Sequence, residues 1–177
     1  GYYTGGSHKL GEQGDFITAP ECSNLFSETL ANQLAQIIQK IPNAIIFEVG
    51  AGSGLMAANI LNALNRQNLL PKKYLILEPS PQLQAKQLDQ IQHLCPELIH
   101  HVKWLSEPPT EKFNGVIIAN EVIDALPIHT IKLSNKGLTE LGVKLDAHEQ
   151  RFTWCEMDTI NPKAHEFIIN NETLSNT

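Results

Sequence analysis

Cysteine is scarce in this 177-residue chain, and basic residues are fewer than acidic ones. The three cysteines, Cys22, Cys95 and Cys155, are odd in number, far apart and free of any CxxC spacing, which speaks against both a disulfide framework and a zinc site. Thirteen Lys and Arg stand against nineteen Asp and Glu, a formal net charge of −6, and no stretch gathers cations into the stripe that a phosphate backbone requires. A nucleic-acid partner is therefore disfavoured. No apolar run approaches the roughly 18 residues of a membrane span, and the polar start does not read as a signal peptide. These absences lead to the expectation of an intracellular, reducing compartment without membrane insertion. Hydrophobic residues make up 42% of the chain, enough for the core of one globular domain of enzyme size.

After a glycine-rich opening (1 to 14), the block TAPE places Thr18 and Glu21 at capping-box spacing with Pro20 in the first turn, which predicts a helix start. Leu30, Leu34, Ile37, Ile38 and Ile41 then recur at helical spacing up to Pro42, predicting one amphipathic helix of roughly six turns. The runs AIIFEV (44 to 49), YLILE (74 to 78), HVKWL (101 to 105) and GVIIAN (115 to 120) are short and mostly apolar, the pattern of parallel strands buried on both faces. A helix from about Leu55 to Asn65 separates the first two. A second, with Ser80 as N-cap and Pro81 in first position, runs towards Pro96. This alternation predicts an α/β domain with a mainly parallel sheet and flanking helices, and with ligands at the carboxyl ends of its strands. From Ile128 the texture changes to HTIKL, TELGVKL and RFTWCEM between turn-forming segments, which predicts a β-meander insertion. Residues 1–127 are thus expected to form the ligand-binding part, 128–160 the meander, and 161–177 a short helix with a polar tail.

The sequence EVGAGSG places Gly50, Gly52 and Gly54 between a buried strand and a helix, where backbone amides can approach a ligand at the helix N-terminus. A dinucleotide fingerprint requires G-x-G-x-x-G, but position 55 is Leu55, and Glu48 would repel a pyrophosphate. An NAD-dependent oxidoreductase is disfavoured on both counts. A ligand with an ammonium group and no phosphate suits the turn better, and S-adenosyl-L-methionine (SAM) is of that kind. Glu78, at the end of the second strand, stands where nucleotide-binding α/β sheets place an acid on the ribose hydroxyls. Read alone, Glu48 is more often an ordinary strand-end carboxylate.

The segments GYYTGG, GDFITAPECSNLFSETLA, EVGAGSGLMAANIL and NEVIDALPIH together resemble the MidA family of SAM-dependent methyltransferases that assist assembly of respiratory complex I. The resemblance runs from residue 1 to about residue 130, and the meander is similar to a β insertion of that family. It implies a Rossmann-like class I SAM-methyltransferase sheet. It also implies that the chain is a fragment, because family members are about twice as long and complete the sheet in a C-terminal half. Where the family often has G-P-G-R-G, this chain has Ala51 and Ser53, a softer and less cationic turn. By resemblance, Asp15 lies in a loop over the methionine end of the cofactor and Asn120 joins the cofactor site from the end of the fourth strand.

The activity implied is methylation of a protein arginine, with a complex I subunit as the partner. The location implied is the bacterial cytoplasm or, in a eukaryote, the mitochondrial matrix. A SAM-binding assembly chaperone, or a catalytically incomplete fragment, is the alternative, and a homo-oligomer is compatible with either. Two carboxylates can grip a guanidinium and localise its charge, and Glu121 and Asp124 are the catalytic candidates for that task. Asp124 is also suited to capping a turn before Pro127. No metal is required. Trp104 is placed either to flank an adenine or to fill the core, and His129 either as a base or as a structural residue.

Overall fold

Four apolar segments become the parallel strands β1 (Ile45–Val49), β2 (Lys73–Leu77), β3 (Val102–Leu105) and β4 (Gly115–Ile118), in the order β3-β2-β1-β4. They belong to a computed structural model that describes residues 17–135 and 137–172. The register sets Ile46 beside Tyr74 and Val116, and Glu48 beside Ile76 and Ile118. Because strand side chains alternate in direction, these six share one face. Helices α3 (Leu55–Arg66) and α4 (Pro81–Leu94) cross over from β1 to β2 and from β2 to β3. Two crossovers of the usual right hand that step in the same direction put their helices on the same face. The core is accordingly one-sided: Ile46, Tyr74 and Ile76 are fully buried together with Ala57, Ala58, Ile60, Leu61 and Leu64 of α3. Each large aliphatic side chain so buried contributes about 1.5–3 kcal/mol.

The single long helix expected after Thr18 is instead two. Helix α1 (Ala19–Cys22) stops at Ser23, whose backbone is extended (φ −162°, ψ 140°), and α2 (Asn24–Ile38) restarts from it. The physical reason is a second cap: Ser23 Oγ accepts the Leu25 N–H at 3.1 Å, whereas the Thr18 side chain caps nothing. The caps expected for α4 are present, with Ser80 Oγ accepting from Leu83 N at 3.4 Å and Pro81 in the first turn. A six-residue 3-10 segment, Pro96–His101, leads into β3.

The fourth strand is less buried than its composition suggests. Ile118 lies in the core, but Ile117 is 64% exposed on the opposite face, the side of Phe47 and Leu75. The buried side chains of α2, α3 and α4 cluster instead with Ile46, Tyr74 and Ile76 on the other face. Among the described residues, β4 pairs with β1 alone and forms the edge of the sheet.

Beyond Ala125 a second unit comprises the antiparallel strands β5 (Thr130–Ser134), β6 (Gly137–Asp146) and β7 (Arg151–Glu156), in that order, and helix α5 (Pro162–Glu172). Val143 pairs with Trp154 and Leu145 with Phe152 on one face of this meander. Its β6–β7 turn is closed by Asp146, whose carboxylate accepts from the backbone of His148 at 2.9 Å and Glu149 at 3.1 Å.

Candidate functional site

The loop from β1 to α3 depends on glycine. Gly50, Gly52 and Gly54 have φ of +66°, +56° and +88°, a region that costs other residues about 1–3 kcal/mol. The Gly50 N–H donates to Leu77 O at 3.1 Å, tying the turn to the end of β2, and the Gly54 N–H donates to Ala51 O at 2.8 Å. The turn is also enclosed. A Cβ on Gly54 would stand 3.0 Å from Gln87 Cα in α4, and one on Gly50 would stand 3.1 Å from Val122 Cγ2 in the segment after β4. Ser53 Oγ accepts the Leu55 N–H at 3.2 Å and donates its own hydrogen to the Glu21 carboxylate. The TAPE block therefore contributes Glu21 as a strut under the turn rather than as a helix cap.

Two acids flank the turn, and their surroundings differ. Glu48 is fully buried on the helix-covered face of the sheet. Its Oε2 accepts the Tyr74 hydroxyl at 2.8 Å, and its Oε1 has no partner among the described residues. Burial pushes its pKa up to about 7, against the lowering effect of the Tyr74 hydrogen bond. The same burial and the Glu48 charge raise the Tyr74 phenol well above its usual range.

Glu78 follows β2 directly and is 6% exposed. Its Oε1 accepts the Ser80 N–H at 2.9 Å and its Oε2 accepts Gln87 Nε2 at 3.2 Å. Gln87 Nε2 also donates to Gly52 O at 3.1 Å, while Trp104 Nε1 donates to Gln87 Oε1 at 2.9 Å. Each carboxylate oxygen of Glu78 retains acceptor capacity for a further donor.

At the end of β4 the chain turns sharply. Glu121 has φ +50°, unusual for a residue other than glycine or asparagine, and Ile123–Ala125 form a 3-10 turn. Packing of Val122 over Gly50 brings this segment to the glycine turn. Asn120 is half-buried, and Glu121 and Asp124 are exposed, without an ion pair or hydrogen bond among the described residues. Asp15 lies outside the described residues. His129, in the second unit, contacts the Glu140 carboxylate through Nδ1 at 2.6 Å, and Glu140 also accepts the Asn161 N–H at 2.7 Å. These bonds hold the Glu140 pKa below its usual value. No group of three or more His, Cys, Asp or Glu is disposed to hold a metal ion among the described residues.

The structure thus joins Gly50, Gly52, Gly54 and Glu78 in one continuous arrangement, with Glu48 beneath it in the core and the Glu121 segment against its Gly50 end. Sequence reasoning did not find Gln87, Tyr74, Val122 or the role of Glu21. Gln87 is one of five glutamines in α4, at positions 82, 84, 87, 90 and 92, and nothing in the order of residues sets it apart. Tyr74 was detectable in principle, because a hydroxyl in an otherwise apolar strand needs a polar partner.

The chain is similar to longer proteins of known sequence and structure. The protein arginine methyltransferase NDUFAF7 homolog, mitochondrial, of Drosophila melanogaster is 29% identical over a region covering 75% of this chain and 35% of that protein. The protein arginine methyltransferase NDUFAF7, mitochondrial, of Xenopus laevis is 30% identical over 82% of this chain and 39% of that protein. A Burkholderia thailandensis protein crystallised with bound S-adenosyl-homocysteine superposes with a TM-score of 0.74 at 34% identity, over 96% of this chain and 44% of that one. The chain therefore spans well under half the length of each. Residues 29–175 match a family defined by the description "putative S-adenosyl-L-methionine-dependent methyltransferase", and the chain belongs to that family.

Proposed function

We propose that the first unit binds SAM at the turn Gly50 to Gly54, and that the protein carrying this segment methylates an arginine side chain of a protein partner. One observation carries the reading: three left-handed glycines end a buried strand and are clamped beside a carboxylate, Glu78, whose two oxygens are already oriented. The residues fit the cofactor. The glycine turn at the start of α3 can present backbone amides to a ligand, Glu78 can accept from ribose hydroxyls, and Glu48, buried on Tyr74, lies behind the turn. Asn120 and Asp15 are assigned to the same site by resemblance.

When bound, SAM supplies an activated methyl group on a sulfonium. The chain's own residues then bind, orient and exclude water. Glu121 and Asp124, in the segment that Val122 anchors on Gly50, are assigned to hold a guanidinium so that one nitrogen faces the donor. The assignment is supported by the place of these carboxylates in the segment after β4, which packs on the glycine turn through Val122. The arginine acceptor is supported by the names of the fly and frog relatives. A complex I subunit as the partner rests on the family resemblance. The relatives' names also favour mitochondria if the source is a eukaryote. Among the described residues no helix is long and apolar enough to cross a membrane.

The test is transfer of labelled methyl from SAM to arginine-containing and lysine-substituted peptides by a protein of the relatives' full length that contains this segment. Labelling of the arginine peptide alone supports the reading. Cofactor binding without transfer to any peptide or complex I subunit would favour a SAM-binding assembly role.

A further inference from the structure

The buried amide of Gln87 has no place in the site as read from the sequence, yet it touches three of its parts. The side chain is fully buried, and its donors and acceptor are all used. Nε2 donates to Gly52 O and to Glu78 Oε2, and Oε1 accepts from Trp104 Nε1. This set fixes which end of the amide is which, since two acceptors meet the nitrogen and one donor meets the oxygen. We propose that Gln87 is the positioning residue of the nucleoside half of the cofactor site, coupling the glycine turn to the ribose-binding carboxylate; the role rests on the SAM reading given above.

Two consequences follow from the bonds themselves. With Ser80 N–H on one oxygen and Gln87 on the other, the Glu78 carboxylate cannot rotate, and its remaining lone pairs keep one direction. Because a trans peptide sets C=O and the next N–H opposite each other, holding Gly52 O towards α4 turns the Ser53 N–H away from α4. Gln87 therefore orients an acceptor and a donor at once. Only a neutral side chain with both donor and acceptor functions can do this beside a carboxylate. A second carboxylate at position 87 would have to share a proton with Glu78 or repel it.

That requirement supplies a readout that a packing role would not move. S-adenosylhomocysteine is titrated by calorimetry into the 177-residue chain and its Gln87→Glu variant from pH 5.5 to pH 8.5. Glu78 is the charged group in hydrogen-bond contact with Gln87 among the described residues, so the added carboxyl titrates against it. We expect the variant to bind about threefold more weakly at pH 5.5, where the protonated carboxyl has one hydrogen in place of the amide's two and keeps the bond to Glu78 at the expense of the one to Gly52 O. The ratio of their affinities should widen to about tenfold or more by pH 8.5, as two carboxylates come to face each other. A ratio independent of pH overturns the inference while leaving the cofactor reading intact. A parent chain that does not bind S-adenosylhomocysteine overturns both. Should Gln87→Glu fail to fold, Trp104→Phe serves instead, because it keeps an aromatic ring and removes only the donor that holds Gln87 Oε1. It should weaken binding about three- to tenfold, and unchanged binding would overturn the proposal.

Discussion

Tyr74 donates its hydroxyl hydrogen to Glu48 at 2.8 Å inside a core from which both side chains have been withdrawn from water. A carboxyl with a pKa near 7 in the folded protein and near 4.5 when unfolded binds its proton more tightly in the native state. The sign follows directly: this group favours folding while protonated, and the benefit is lost as pH rises from about 4.5 to about 7, after which the contribution is flat. The change is on the order of 3 kcal/mol across that window. Glu48→Gln keeps an acceptor for Tyr74 and cannot ionise. Urea denaturation at pH 5 and pH 8 should show the variant gaining stability relative to the parent at the higher pH. An equal difference at both values would place Glu48 in a solvated setting.

Gly54 is the tightest position of the turn. Gly54→Ala combines φ +88° with a Cβ 3.0 Å from Gln87 Cα, a backbone neighbour that cannot rotate away. The cost should be about 2–4 kcal/mol of stability, the strain of a left-handed alanine plus a local shift of α4. Chemical denaturation measures it, and a loss under about 0.5 kcal/mol would mean that the turn is free to relax.

At Glu121 the backbone and the carboxylate can be separated. Glu121→Gly relieves φ +50° but enlarges the freedom of the unfolded chain, so folding stability should stay within about 1 kcal/mol of the parent. In a protein of the relatives' length, Glu121→Gly, Glu121→Gln and Asp124→Asn should all slow methyl transfer while changing SAM affinity by less than about threefold. Parent rates in all three variants would make these residues structural.

How far the fold could be read from sequence varied with the kind of signal. The parallel strands and the helices α3 and α4 were legible because period and capping agreed, as at Ser80 and Pro81. The helix break at Ser23 was not, since the apolar spacing on either side continues through it and a hydroxyl cap competes only locally. Burial of β4 was overestimated for a different reason: composition alone does not say whether a second layer of helices covers Ile117. The glycine turn and Glu78 were legible from their places at strand ends. Gln87 and Tyr74 were not, because their importance arises from contacts 35 and 26 residues away, to Gly52 and Glu48, which only the packing of α4 and the β1–β2 register create.

The most direct measurement of the account is calorimetric titration of S-adenosylhomocysteine into the chain and into Glu78→Ala, with NAD as the comparison ligand. Binding by the parent chain, none of NAD, and a loss of about 1.5–3 kcal/mol in the variant are the predicted results, the range for a hydrogen bond to a charged group. Equal affinity of S-adenosylhomocysteine for Glu78→Ala and the parent would contradict the placement of the ribose on Glu78, and tight binding of NAD would contradict the choice of cofactor.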